Sequence, residues 1–238
     1  MTMLASRDST ETPLPVVRWL EVAWPDGLDR IESILVEGPI RVRRGRIPLG
    51  GRGTIRLQAG EAYASELRIG LGRLSTVSGV EAYVDGSCVT TMGGARATGA
   101  DIDRGGFIAL WAMSILFPTC WLTLPGLRWT AIDDTEVLLS LPYEDGTVTA
   151  TLRFDPDTSS FPVAFEAERS RVPGGPRMSW RVELGEWHWR EGLAMPTRLQ
   201  VTWVGDPGPW LDMRIEDVVP NAHVRDDLRA AVEAASGR

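Results

Sequence analysis

Four charges stand where strand alternation calls for apolar side chains. Phe161, Val163, Phe165 and Ala167 run in phase with Arg169 and Arg171; Trp129 and Ala131 run in phase with Asp133 and then Val137 and Leu139; Leu211, Met213 and Ile215 run in phase with Asp217. Successive strand residues point to opposite faces, so regular strands aim all four charges at the apolar side. An unpaired charge there is costly enough that such groups pair with one another or line a wet cavity. Two arrangements satisfy this. In one, the charges form a structural Arg–Asp network near the rim where strands end. In the other, Arg169, Arg171 and Asp133 make the polar floor of a ligand pocket beneath Trp129 and Trp180. The pocket reading makes Asp133, Arg169 and Arg171 the candidate catalytic groups and Trp111, Trp129, Trp180 and Asp217 the candidate substrate-binding ones. It expects Arg169 or Arg171 to approach Asp133 or Asp217, with Trp129 or Trp180 alongside.

Other chemistries find no support. The sequence contains no G-x-S-x-G elbow and no G-x-x-x-x-G-K-[ST] loop, and the glycine pairs Gly93-Gly94 and Gly105-Gly106 lack a dinucleotide fingerprint. Asp133 and Asp134 are neighbours on a strand and face opposite sides, so they make no close carboxylate pair. Cys88 and Cys120 have no histidine near them in sequence and read as small buried hydrophobes. His188 and His223 stand at no zinc-ligand spacing from them, so no metal is expected, and without a dinucleotide fingerprint no cofactor is expected either. His188 shares the polar face of its strand with Arg181 and Glu183 and is expected to face solvent. The run RVRRGR reads as a solvated strand end and turn around Gly45.

These residues need a scaffold, and the stretch from Asp101 to Trp129 organises it. Asp103 is placed to cap a helix starting near Gly105, and Pro118 stops it. Phe107, Leu110, Trp111 and Ile115 occupy one face and Ile108, Met113 and Leu116 others, so the helix is apolar all round and must be covered. Its apolar run is too short for the ~20 residues of a membrane span. A short amphipathic helix carries Val16, Trp19, Leu20 and Ala23 and ends at Pro25-Asp26-Gly27. The cover is expected as strands. Ile31–Val42 bends or bulges at Gly38-Pro39, Thr54–Ala59 follows a break at Gly50-Gly51, and Ser65–Leu71 comes next. Val80–Val84 and Cys88–Met92 form a hairpin around Asp85-Gly86. Trp129–Leu141, Thr147–Phe154, Phe161–Arg171, Met178–Arg190, Thr197–Val204 and Leu211–Val219 complete an antiparallel meander. Apolar phase flips at Gly185, from Trp180, Val182 and Leu184 to Trp187 and Trp189, which predicts a β-bulge. Asn221 is placed to cap a polar, Ala-rich, loosely packed C-terminal helix.

The expected architecture is mainly β with α: a curved antiparallel half-barrel wrapped around a buried helix. At 238 residues the chain can bury an ample core. The expected division is a disordered 1–12, a single domain over 13–219 and a C-terminal helix and tail over 220–238. The basic residues are all arginine, which suggests a high-GC bacterium, and a net charge of −7 with interleaved acids argues against nucleic-acid binding. The start MTMLASRDSTETPLP lacks an apolar export segment, so a cytoplasmic location is expected.

The segment LPVVRWLEVAWPDG, strand-borne IRLQ, Phe117-Pro118-Thr119, Trp129 to Asp133, ERSR, Trp180 and Gly192-x-x-x-Pro196 through Trp203 together resemble a family of uncharacterised bacterial proteins, from about Pro13 to Val219. Trp19 and Trp187 stand where that pattern has tyrosine. The strand order around apolar helices also looks like the half-barrel of periplasmic lipoprotein carriers and of the violacein-pathway enzyme that works without a cofactor. The resemblance implies an apolar small-molecule ligand. It leaves open a cofactor-independent cyclase, isomerase or lyase acting on a biosynthetic intermediate, a non-catalytic binder or carrier, and a structural homodimer joined by sheet edges.

Overall fold

Thr147 to Phe154 shows how the strands arise. Val148, Ala150, Leu152 and Phe154 are buried while Thr147 and Thr149 are exposed, so the alternation in sequence becomes two faces of one strand. In the computed structural model, which describes residues 12–23, 31–45, 47–70, 76–122, 124–157, 161–190 and 192–236, the same rule builds a 14-stranded antiparallel sheet.

The first half comprises α1 (Leu14–Ala23), β1 (Ser33–Arg44), β2 (Ile47–Gln58), β3 (Ala62–Gly70), β4 (Thr76–Val84), β5 (Ser87–Met92) and β6 (Ala95–Ala97). The buried helix α2 (Ala100–Met113) follows, continued by 3₁₀ turns at Ser114–Leu116 and Pro118–Leu122. Then come β7 (Arg128–Ala131), β8 (Glu136–Tyr143), β9 (Gly146–Phe154), β10 (Pro162–Ser170), β11 (Arg177–Arg190), β12 (Leu193–Trp203), β13 (Leu211–Arg214), β14 (Asp217–Pro220) and α3 (Arg225–Ser236). The strand order is β6-β5-β4-β3-β2-β1-β13-β12-β11-β10-β9-β8-β7, with β14 also on β1.

Curvature follows from one contact. Between β4 and β10 lie β3, β2, β1, β13, β12 and β11. Seven flat inter-strand steps of about 4.8 Å would separate them by roughly 34 Å. Yet Glu81 of β4 and Arg169 of β10 meet at 2.9 Å. The sheet therefore curls into an open half-barrel, and α2 lies in its concave side with Phe107 to Met113 all buried.

Two glycines let α2 come close. A Cβ at Gly106 would stand 2.6 Å from Cys88 Sγ and 2.7 Å from Cys88 Cβ, so the helix seats on β5 only because that Cβ is missing. Its neighbour Gly105 faces Arg169. On the convex side, Val224 and, from α3, Leu228, Ala231 and Ala235 form a second core with Ala62, Ala64, Ala82 and Val89.

Several expectations are corrected. Asp103 does not cap α2: the helix starts a turn earlier behind Gly99, and Asp103 Oδ1 accepts the Cys88 amide at 2.6 Å, tying helix to strand. Asn221 does not cap α3; its Oδ1 accepts the Glu32 amide at 2.9 Å, and α3 packs on small alanines rather than loosely. Gly50-Gly51 is not a break, since β2 pairs with β1 through both glycines and with β3 from Gly51 onward. Gly38-Pro39 stays inside β1, and the irregularity is on its partner. Ile40 opposes Met213 and Glu37 opposes Asp217, so two residues of β1 face three between β13 and β14. At Gly185 no residue is inserted against β12, because Leu184 opposes Leu199 and Trp187 opposes Pro196 in continuous register. The phase turns at Glu186 instead, whose φ is 54°. Trp187 then stacks on Phe161, with ring centroids 4.6 Å apart and planes at 18°, while Trp189 is left exposed. The Asp85-Gly86 hairpin is present, both residues having positive φ. The expected disorder of 1–12, but for Thr12, and the Pro25-Asp26-Gly27 stop lie outside the described residues.

Candidate functional site

Arg169 sits near the end of β10 on the concave face, as its phase with Phe165 and Ala167 requires, and is 6% exposed. Three surfaces sheathe its guanidinium. The Trp180 ring lies under it at 4.9 Å and the Trp203 ring at 6.0 Å. On the helix side, a Cβ at Gly105 would come within 3.0 Å of Nη2 and 3.1 Å of Nε. Covered by that glycine, Nε has no hydrogen-bond partner among the described residues. The remaining direction holds Glu81: Nη1 donates to Oε1 at 3.3 Å and Nη2 to Oε2 at 2.9 Å. Burial lowers the Arg169 pKa, and the Glu81 carboxylate more than offsets this by charge and hydrogen bond, leaving it above the ordinary value.

Around the pair is a cavity of about 100 Å³. One wall is apolar, with Trp180, Leu199, Val201, Trp203, Trp210 and Met213 from β11 to β13; the other brings Ser65, Glu81, Thr90 and Thr91 from β3 to β5. Burial also pushes the nearby Tyr63 hydroxyl well above its usual range and raises the Cys88 thiol, so neither supplies an anion at neutral pH. Cys120, buried in the 3₁₀ turn that follows α2, is raised to about 12 by burial.

Of the seven residues singled out by sequence, Arg169 and Trp180 line this cavity and the others do not. Asp133 is exposed. The expected single strand Trp129–Leu141 is broken there, and Asp133 Oδ1 accepts the Thr135 amide at 2.7 Å, the Thr135 hydroxyl at 3.0 Å and the Glu136 amide at 2.8 Å. These bonds, the Thr135 amide's first, hold its pKa below the usual value; it shapes the turn between β7 and β8. Arg171 lies past the end of β10, bonded to Asp206 and stacked at 4.9 Å over Trp203. Asp217 is exposed on β14 and pairs with Arg52 at 2.8 Å. Trp111 is buried in an aromatic row, 5.1 Å from Trp121, which is 5.6 Å from the half-buried Trp129. The expected approach of Arg169 or Arg171 to Asp133 or Asp217 is therefore corrected: the buried partner of Arg169 is Glu81. Glu81 escaped the sequence reading, although it is in phase with Gly79 and Tyr83, which share its concave face. His188 is exposed as expected. Among the described residues, no group of three or more His, Cys, Asp or Glu could hold a metal ion, and no helix is long and apolar enough to cross a membrane.

On the convex face, Glu166 accepts hydrogen bonds from Ser179 Oγ, from Arg181 Nε at 2.9 Å and from Arg153 Nη1 at 3.5 Å. Burial raises its pKa, but the Ser179 and Arg181 bonds and the two positive charges outweigh this and leave it lowered. A depressed folded-state carboxylate stabilises the fold fully above the ordinary value of 4.5, and that contribution is lost as pH falls through the depressed one. The Glu166→Gln variant is thus expected to lose part of the wild-type steepness of Tm against pH below 4.5. Superimposable acid limbs would refute the assignment.

The fold and the cavity define a class: an open antiparallel half-barrel holding a helix and, beside it, a small, mostly apolar chamber. The chain belongs to the family of unknown function DUF6544, which it matches over residues 2–213. No curated protein matches the sequence. Among solved structures it is similar to a LolA superfamily protein from Nitrosomonas europaea, at 13% identity and a TM-score of 0.49 over 90% of this chain and 94% of that one. A putative outer membrane lipoprotein-sorting protein domain from Vibrio parahaemolyticus shows 6% identity and a TM-score of 0.48, covering 84% and 90%. A DUF1329 family protein from Desulfovibrio piger shows 10% identity and a TM-score of 0.48, covering 90% and 96%.

Proposed function

We propose that the chain binds a small apolar molecule in the concave-face cavity and holds it without chemical change. The observation that carries this reading is the wall of tryptophan, leucine, valine and methionine side chains around a chamber whose buried ion pair is internally neutral. Binding sites for small molecules are mostly apolar with few convergent polar groups. A catalytic role would favour an acid or base that is not already neutralised by a fixed counter-ion. Glu81 is instead doubly hydrogen-bonded by Arg169, and Asp133 is committed to a turn elsewhere. Size narrows the ligand. A dry cavity of roughly 150 Å³ is known to accept benzene, so about 100 Å³ limits the guest to a single small ring or the end of a longer chain.

A ligand that binds only the folded chain raises its stability by mass action. Saturating toluene is expected to raise the Tm of the protein, and native mass spectrometry of protein purified from its own host is expected to show a co-purified apolar mass. A Tm unmoved by toluene, with no co-purified molecule, would sink the proposal.

A further inference from the structure

Resting on that reading, we infer that the cavity selects a neutral apolar molecule carrying a hydroxyl or other hydrogen-bond donor, which Glu81 accepts. The two members of the ion pair are not equally available to a guest. Arg169 is 7% exposed through its side chain and is enclosed by Gly105, Trp180 and Trp203, so the N–H groups it does not spend on Glu81 are shielded by that enclosure. Glu81 is 21% exposed and lines the cavity. A carboxylate has about four acceptor sites, and Arg169 occupies two, so Glu81 retains lone pairs that no further charged donor among the residues lining the cavity fills. The polar wall around it, Ser65, Thr90 and Thr91, adds hydroxyls, whereas the opposite wall is apolar.

Charge decides the rest. The pair is neutral as a unit, so a carboxylate guest would bring an uncompensated negative charge next to Glu81, and an ammonium guest an uncompensated positive one next to Arg169. Both are costly in a largely apolar chamber. A neutral donor meets neither obstacle. Its hydroxyl, moreover, would be costly to bury if no acceptor met it, which makes the sign of the preference diagnostic.

Phenol, toluene and benzoate share a ring and differ in the group attached, and each can be titrated into the intact wild-type chain by calorimetry or chemical-shift mapping. Phenol is expected to bind about tenfold more tightly than toluene, the size expected of one hydrogen bond to a charged acceptor, with benzoate weaker than both. Glu81→Gln removes the negative charge and leaves Arg169 uncompensated, so benzoate is expected to become the preferred guest of that variant. Toluene binding as tightly as phenol, or benzoate exceeding phenol in the wild type, would overturn the inference while leaving an apolar binder standing. Failure of all three to bind would overturn both. Since the wild-type comparison decides alone, the inference survives or falls even if the variant does not fold.

Discussion

Arg169→Met is expected to lower the unfolding free energy by about 3–5 kcal/mol, because it strands the Glu81 carboxylate in the concave interior without its cation. Arg169 is buried, and its two hydrogen bonds to Glu81 join β4 to β10 across the concave side of the sheet. The second half of the prediction separates charge from packing. Arg169→Met combined with Glu81→Leu removes both charges, and replacing a buried pair by apolar groups is often neutral or stabilising. The double variant is therefore expected to recover most of the loss in urea denaturation, giving a large non-additive coupling between the two sites. Additive losses would show that the two side chains act independently. Because the double variant also deletes the acceptor, it is expected to lose any preference for phenol over toluene.

Gly38→Ala is expected to cost as much as or more than the upper end of the ~1–3 kcal/mol typical of overpacking. A Cβ there would lie 1.7 Å from the Arg214 carbonyl oxygen and 3.1 Å from the Glu216 amide nitrogen. Both are backbone atoms at the bulge between β13 and β14, so no side-chain rotation relieves the clash. Gly50→Ala, in the same sheet but with nothing within 4 Å of its Cβ, is the control and is expected to be neutral or slightly stabilising. Equal melting temperatures for the two variants would disprove the close approach at Gly38.

The strands that cover the core on one side only were legible in sequence. Val148 to Phe154 and Phe165 to Arg169 alternate because one face meets the core and the other meets water, and that phase placed Arg169 inside correctly. The same logic failed where a strand has two covered faces. In β4, Ala82 is buried under α3 and Tyr83 against α2, so apolar residues occupy both parities and Glu81 gives no alternation signal. Asp133 was misplaced for a different reason: phase was carried through a turn, and a short acid that accepts three hydrogen bonds from the next residues is the turn. Asp217 was misread because counting from Leu211 ignored the extra residue between β13 and β14. The apolar character of α2 was plain, whereas its glycine-dependent seating on Cys88 and Arg169 depends on neighbours distant in sequence.

The place of β1 in the sheet carries a consequence for how the chain assembles. It lies between β2, its immediate successor, and β13, so Ile40 waits for Met213 as its partner. Hairpins β1 to β6 form from neighbours and can appear as the chain emerges from the ribosome, but one side of β1 stays an open edge until the last strands are made. Closure of so long a loop is slow to reach, and an unpaired edge is a template for wrong partners. The partner side of that waiting edge is broken by the bulge opposite Gly38-Pro39, and the proline removes one amide from the strand itself. A stray strand of regular register would not fit the whole length of such an edge, whereas β13 and β14, carrying the matching irregularity, do.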